Sequence, residues 1–197
     1  MRRFSFLLSS LVAVSLLLWG CGGPASNVEV VKKGDDALTI PDWFLDPPKD
    51  PNFLFGTGAG KSIEVQTAKD IATTNARGDI AKALEVRYQN LTKQFREQVG
   101  TEEDMQYLNM FTTATKEVTS QVLNGVTIEK TKTVKEGSMW NIYVLMKLPI
   151  GQSSEALLNR LKQQQEMYTR FRASQVFDEL EKETEAFEKW KTEQGNP

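Results

Sequence analysis

The residue with the clearest chemistry is Cys21. It is the only cysteine in 197 residues, and it follows a positive Met1-Arg2-Arg3 end and an apolar run from Phe4 to Trp19 broken only by serines. That arrangement reads as a bacterial lipoprotein signal over residues 1–20, removed on export. Cleavage before Cys21 exposes a thiol for diacylglycerol and an amine for a further acyl chain such as palmitate. Leu18 and Gly20 suit the cleavage box, whereas Trp19 is bulkier than its position usually holds. The run of 16 residues, Phe4 to Trp19, is short against the ~20 that a spanning helix needs. Gly22 stands where Asp commonly signals inner-membrane retention. The expectation is therefore a lipid anchor in the outer membrane, with the folded domain in the periplasm.

Other candidate chemistry is thin. The chain has no histidine, which excludes Ser-His-Asp and Cys-His catalysis and removes the usual ligand of zinc, haem and copper sites. With Cys21 acylated, no disulfide can form within the chain. The carboxylates Asp42, Asp46 and Asp50 lie in a segment with four prolines, Pro41, Pro47, Pro48 and Pro51. Catalytic carboxylates need rigid support that this composition does not promise. The run Gly56-Thr-Gly-Ala-Gly-Lys-Ser62 resembles a phosphate loop, but the Walker pattern requires glycine where Phe55 stands. No enzymatic activity, cofactor or metal is expected. Loss of Arg2 and Arg3 takes the 24 basic residues to 22 against 26 acidic ones, a net charge of −4. A nucleic-acid partner is not expected from that balance. What remains is recognition through aromatic residues: Trp43 and Phe44 in the proline-rich segment, and Tyr143 further on. Trp43, Phe44 and Leu45 equally suit a bland role, pinning the leading segment onto the core.

The elements that would position these residues are readable from periodicity. Residues 21–40 read as the acylated cysteine and a flexible tether. A strand near 53–58 runs into a glycine turn. A helix over 63–99 carries one inward stripe, Ala68, Ala72, Ala76, Ile80, Leu84, Tyr88, Leu91, Phe95 and Val99, spaced by threes and fours. Its small end suits close approach to a sheet or helix. A second helix over 102–123 places Leu108, Phe111, Thr115, Val118 and Val122 inward. A hairpin over 126–148 follows, turning at Lys135–Ser138. Its second strand is apolar on both faces, with Tyr143 and Leu145 opposite Ile142 and Val144; such a strand is either central or meets a neighbouring subunit. After Pro149 the pattern predicts one long helix over 154–190, with a phase shift at Arg172–Gln175. A helix of that length reads as an oligomerisation arm or as a solvated helix of paired charges. The fold class is α+β: a small antiparallel sheet packed by two helices, plus the C-terminal helix. The divisions are 1–20, 21–40, 41–150 and 151–197.

The segment Pro41–Leu148 also carries a pattern seen elsewhere. A Pro-x-Trp start leads to a strand ending Gly-x-Gly. Then come the alanine helix Ala68-Lys-Asp-Ile-Ala-Thr-Thr-Asn-Ala, a second helix, and a hairpin closing on Tyr143-Val-Leu-Met-Lys-Leu148. This resembles the LPP-twenty lipoprotein family, which includes a FlgP-like flagellar branch. The resemblance implies a small α+β domain, an outer-membrane lipoprotein without catalysis, and, for the flagellar branch, a homo-oligomeric scaffold associated with the motor. The one position it assigns is the acylated cysteine, here Cys21. Envelope or flagellar-motor proteins are the partners it implies.

Overall fold

The computed structural model describes residues 29–30, 40–99 and 105–193. Cys21, the expected signal over 1–20 and most of the expected tether over 21–40 lie outside the described residues, as do residues 100–104 between the first two long helices. The order is β1 (Glu29–Val30), α1 (Asp42–Leu45), β2 (Phe53–Ser62), α2 (Val65–Val99), α3 (Met105–Val122) and a 3-10 turn (Leu123–Gly125). Then come β3 (Thr127–Glu136), β4 (Met139–Pro149), α4 (Ile150–Lys162), α5 (Gln165–Phe171) and α6 (Gln175–Glu193). The class is α+β. An antiparallel trio in the order β3-β4-β2 forms the sheet, and two-residue β1 lies parallel to β3 on its far side.

The hairpin forms as its alternation predicts. Glu136 pairs with Met139 across Gly137 and Ser138, and Gly137 takes a positive φ of 59° that a side chain would oppose. β4 lies between β3 and β2, which explains its two apolar faces: it is the central strand. Ile142, Val144, Met146 and Leu148 join the helix-side core, while Leu145 is fully buried on the opposite face.

β2 corrects one expectation. Residues Gly56–Gly60 do not turn; they lie inside a ten-residue strand, in register with Met146 to Ile142. The reason is α2. A Cβ on Gly56 would sit 2.5 Å from the Ala76 carbonyl oxygen, on Gly58 2.1 Å from that of Ala72, and on Gly60 2.0 Å from that of Ala68. Two residues of strand advance ~6.7 Å and four of helix ~6 Å. Glycines at every second strand position thus meet alanines at every fourth helix position, with the two elements antiparallel. The helix backbone rests on the strand backbone because neither side interposes a side chain.

At 35 residues, or ~52 Å at 1.5 Å per residue, α2 outruns the strand. Its second half carries Leu84, Tyr88, Leu91 and Phe95 onto the other helices. Phe95, Phe111 and Phe171 form a ring cluster with centroids 5.2 to 5.6 Å apart, a geometry that adds to simple area burial.

The C-terminal stretch is helical as expected and ends in a long helix, α6, but it runs as three segments. The predicted phase shift is the second break, where the Ser174 hydroxyl accepts from the Phe177 amide at 3.2 Å and starts α6. The first break, at Gln163–Gln164, drops Met167 and Phe171 into the core. This folding back removes the projecting arm. α6 returns along α4, so closely that a Cβ on Gly151 would lie 2.2 Å from the Phe187 Cβ. Leu157, Leu161, Phe171 and Leu180 belong to the same buried cluster as Ala72 and Val144. Residues on both sides of position 150 share one core.

Candidate functional site

The three aromatic residues singled out in the sequence come together. Pro41 is buried and starts a single turn, with the Phe44 amide donating to the Pro41 carbonyl at 2.9 Å. That turn lays Phe44 against Tyr143 on the outer face of β4, ring centroids 5.1 Å apart at 74°. Trp43 follows, 6.4 Å from Phe44 at 71°. All three are half-buried. Phe44 therefore does pin the leading segment to the sheet, while Leu45 beside it stays 69% exposed. Ile40, near the start of the same segment, is also exposed.

Asp42, Asp46 and Asp50 are all exposed. The Asp50 carboxylate accepts from the Asn52 amide at 2.7 Å and shapes a turn. Among the described residues no group of three or more Asp or Glu side chains is placed to hold a metal. The glycine strand offers no phosphate cradle either: Gly60, Lys61 and Ser62 pair with Ile142, Asn141 and Trp140.

The two edges of the sheet are treated differently. β2 is guarded by α2. The Thr57 amide donates to the Asp79 carboxylate at 3.2 Å, and the Asn75 side-chain amide donates to the Ala59 carbonyl at 2.9 Å. Backbone groups that would otherwise template a new strand are thereby occupied. β3 has no such guard among the described residues. Only β1 pairs with its far side, at Lys132 and Thr133. Thr127, Ile128, Glu129 and Lys130 are exposed, Ile128 by 43%. Ion pairs lie over the rest of the outer face. Lys61 reaches Glu136 at 3.1 Å, and its hydrogen bond holds that carboxyl below the usual range. Lys147 pairs with Glu129 and lies 5.5 Å over the Phe53 ring.

Sequence reasoning missed Asn75 and Asp79 as edge guards. Their signal was there: two short polar residues four apart, each one place before a stripe position. It also missed Arg87, which ties α2 to α6 by pairing with Glu183, whose carboxylate also accepts from Ser154 at 2.6 Å. The threonines of α3 bend back on their own helix. The Thr112 hydroxyl donates to the Leu108 carbonyl and the Thr119 hydroxyl to that of Thr115, both at 2.8 Å. They line a groove of about 360 Å³ between α2 and α3, the shallow packing their composition suggests. An apolar cleft of about 190 Å³ lies between Phe53, Pro149, Phe187 and Trp190.

Comparison with known proteins finds no match: no family model, no curated protein and no solved structure aligns with this chain. Among the described residues no helix is long and apolar enough to cross a membrane.

Proposed function

We propose that this chain is a non-catalytic lipoprotein, anchored to the outer membrane through Cys21, that assembles with copies of itself into an envelope scaffold. The observation that carries the reading is the unequal sheet: one edge is guarded by Asn75 and Asp79, while among the described residues only two-residue β1 pairs with the other edge, β3. An exposed strand edge is a pairing surface, and proteins that remain monomeric usually blunt it. The resemblance of Pro41–Leu148 to the LPP-twenty family supports the same reading, and its flagellar branch suggests the motor as the place of assembly. The test is chemical crosslinking in intact cells with two forms, wild type and Cys21→Ser. The reading expects palmitate incorporation and a regular ladder of crosslinked species for wild type, and loss of the label for Cys21→Ser. A labelled protein that crosslinks only as single chains overturns the scaffold; an unlabelled wild type overturns the anchor.

A second reading is favoured by the half-exposed Trp43 beside Leu45 and Ile40. It makes the domain a monomeric module that grips an envelope polymer or partner protein through that patch. Trp43→Ala would then abolish binding and leave folding intact. Phe44→Ala would disturb both, because its ring is the one on Tyr143.

A further inference from the structure

We infer that β1 is a donor strand: in the assembled protein the Glu29–Val30 segment of one copy pairs with the β3 edge of its neighbour. This deepens the scaffold reading and rests on it. Four observations lead here. First, β3 has ten residues, yet among the described residues only two pair with its far side, Glu29 beside Lys132 and Val30 beside Thr133. A pairing this short is easily exchanged, since releasing it frees few backbone hydrogen bonds. Second, the contact already present in one chain fixes register and direction, so a second copy can make the same parallel pairing unchanged; this is the logic of domain swapping. Third, nine residues, 31–39, separate Val30 from Ile40. Fully extended they span roughly 30 Å, enough to reach past the edge of one sheet to that of an adjacent copy. Fourth, the donor segment precedes the domain and the acceptor edge lies within it. The resulting contact is head-to-tail, and such contacts propagate around a ring or along a filament.

The sequence of the donor suits the role. Val28-Glu29-Val30-Val31 is β-branched at three of four positions, a composition favoured in strands. The guarded β2 edge gives the assembly a single direction, because only β3 can accept. Anchoring adds concentration. Copies held in one membrane by Cys21 present their donor segments at high local density, so that exchange between neighbours competes with pairing inside one chain.

The experiment uses full-length protein in its own membrane. Acylation consumes the Cys21 thiol, leaving introduced cysteines as the free ones. One copy carries Glu29→Cys and one epitope tag; the other carries Lys132→Cys and a second tag. They are co-expressed and the membranes oxidised. Exchange predicts a disulfide-linked species of twice the chain mass bearing both tags, up to about half of the cysteine-bearing protein in an equal random mixture, and absent when either variant is expressed alone. A third form carrying both substitutions in one chain should give disulfide-linked ladders. If the double variant closes only within one chain and the mixture gives no doubly tagged species, β1 is not a donor. If neither arrangement forms a disulfide, β1 does not occupy the β3 edge and the inference fails equally. Crosslinking of the same membranes with an amine reagent separates the levels. Oligomers without an interchain disulfide overturn the donor strand alone; single chains throughout overturn the scaffold as well.

Discussion

Replacing Gly58 with alanine tests the contact on which the whole fold is registered. The new Cβ would lie 2.1 Å from the Ala72 carbonyl oxygen and 2.4 Å from the Ala76 amide nitrogen. Ordinary contact begins near 3.4 Å, so α2 must withdraw by more than 1 Å along that line. Withdrawal loosens Ala68, Ala76 and Ile80 together, since all sit on one rigid helix. Adding a methyl to a packed interior costs about 1–3 kcal/mol. Here both obstacles are backbone, which cannot rotate aside, and the upper end applies: ~3 kcal/mol, or a fall in Tm of roughly 6–12 °C for a domain of this size. Gly78 provides the control on the same helix. Nothing lies within 4 Å of a Cβ there, and alanine in a helix interior is better than glycine by about 1 kcal/mol, so Gly78→Ala should raise Tm by ~2–4 °C. Thermal unfolding followed by circular dichroism reads both. Adding Ala72→Gly to Gly58→Ala should bring no rescue, because the clash is with the Ala72 carbonyl and not its methyl. Equal melting of Gly58→Ala and wild type, or rescue by Ala72→Gly, would refute the strand-on-helix argument.

Three further outcomes follow from the same core. Burial pushes the Tyr88 hydroxyl up to about 12 from its ordinary 10.0, opposed by the Ser153 side chain. The folded state then keeps its proton longer than the unfolded chain. This contribution is whole below pH 10 and is lost as pH climbs toward 12, by ~3 kcal/mol at about 1.4 per unit; urea titrations across that range should show a shallower alkaline loss for Tyr88→Phe. Glu183→Ala leaves Arg87, a side chain only 17% exposed, without its closest carboxylate and should destabilise by about 1–3 kcal/mol, with a smaller effect in an Arg87→Met background. Ending the chain at Pro149 removes Leu157, Leu161, Phe171 and Leu180 from the shared core. The shortened protein should lose cooperative melting altogether, where loss of a detachable arm would have left the domain folded and changed only its mass.

The parts legible in the sequence were those where one chemical period maps onto one face. The stripe from Ala68 to Phe95 is buried as its spacing demands, and of the two readings left by the apolar residues on both faces around Tyr143, the sheet order shows the central strand. Gly56-x-Gly58-x-Gly60 was misleading because glycine signals both a turn and a close approach of backbones. Only the alanines on the facing helix decide between them, and they lie 8 to 20 residues further along the chain. The break at Gln163–Gln164 carries no glycine or proline. Tertiary packing imposes it: a straight helix would hold Met167 and Phe171 away from Phe95 and Phe111, and their burial outweighs the lost turn. The meeting of Phe44 with Tyr143 joins residues 99 apart, so the sequence could nominate both but not pair them. The edge guards were hidden for the same reason, since Asn75 and Asp79 read as surface residues until β2 is placed beside them.

The central claim is that this is an assembling, membrane-anchored scaffold. Native mass spectrometry of the full-length acylated protein, extracted in mild detergent, tests it most directly. The account predicts a discrete species at several times the chain mass, each copy carrying the acyl mass on Cys21. A single acylated chain at every concentration, in detergent and after return to lipid vesicles, would contradict it and leave the Trp43 patch as the seat of function.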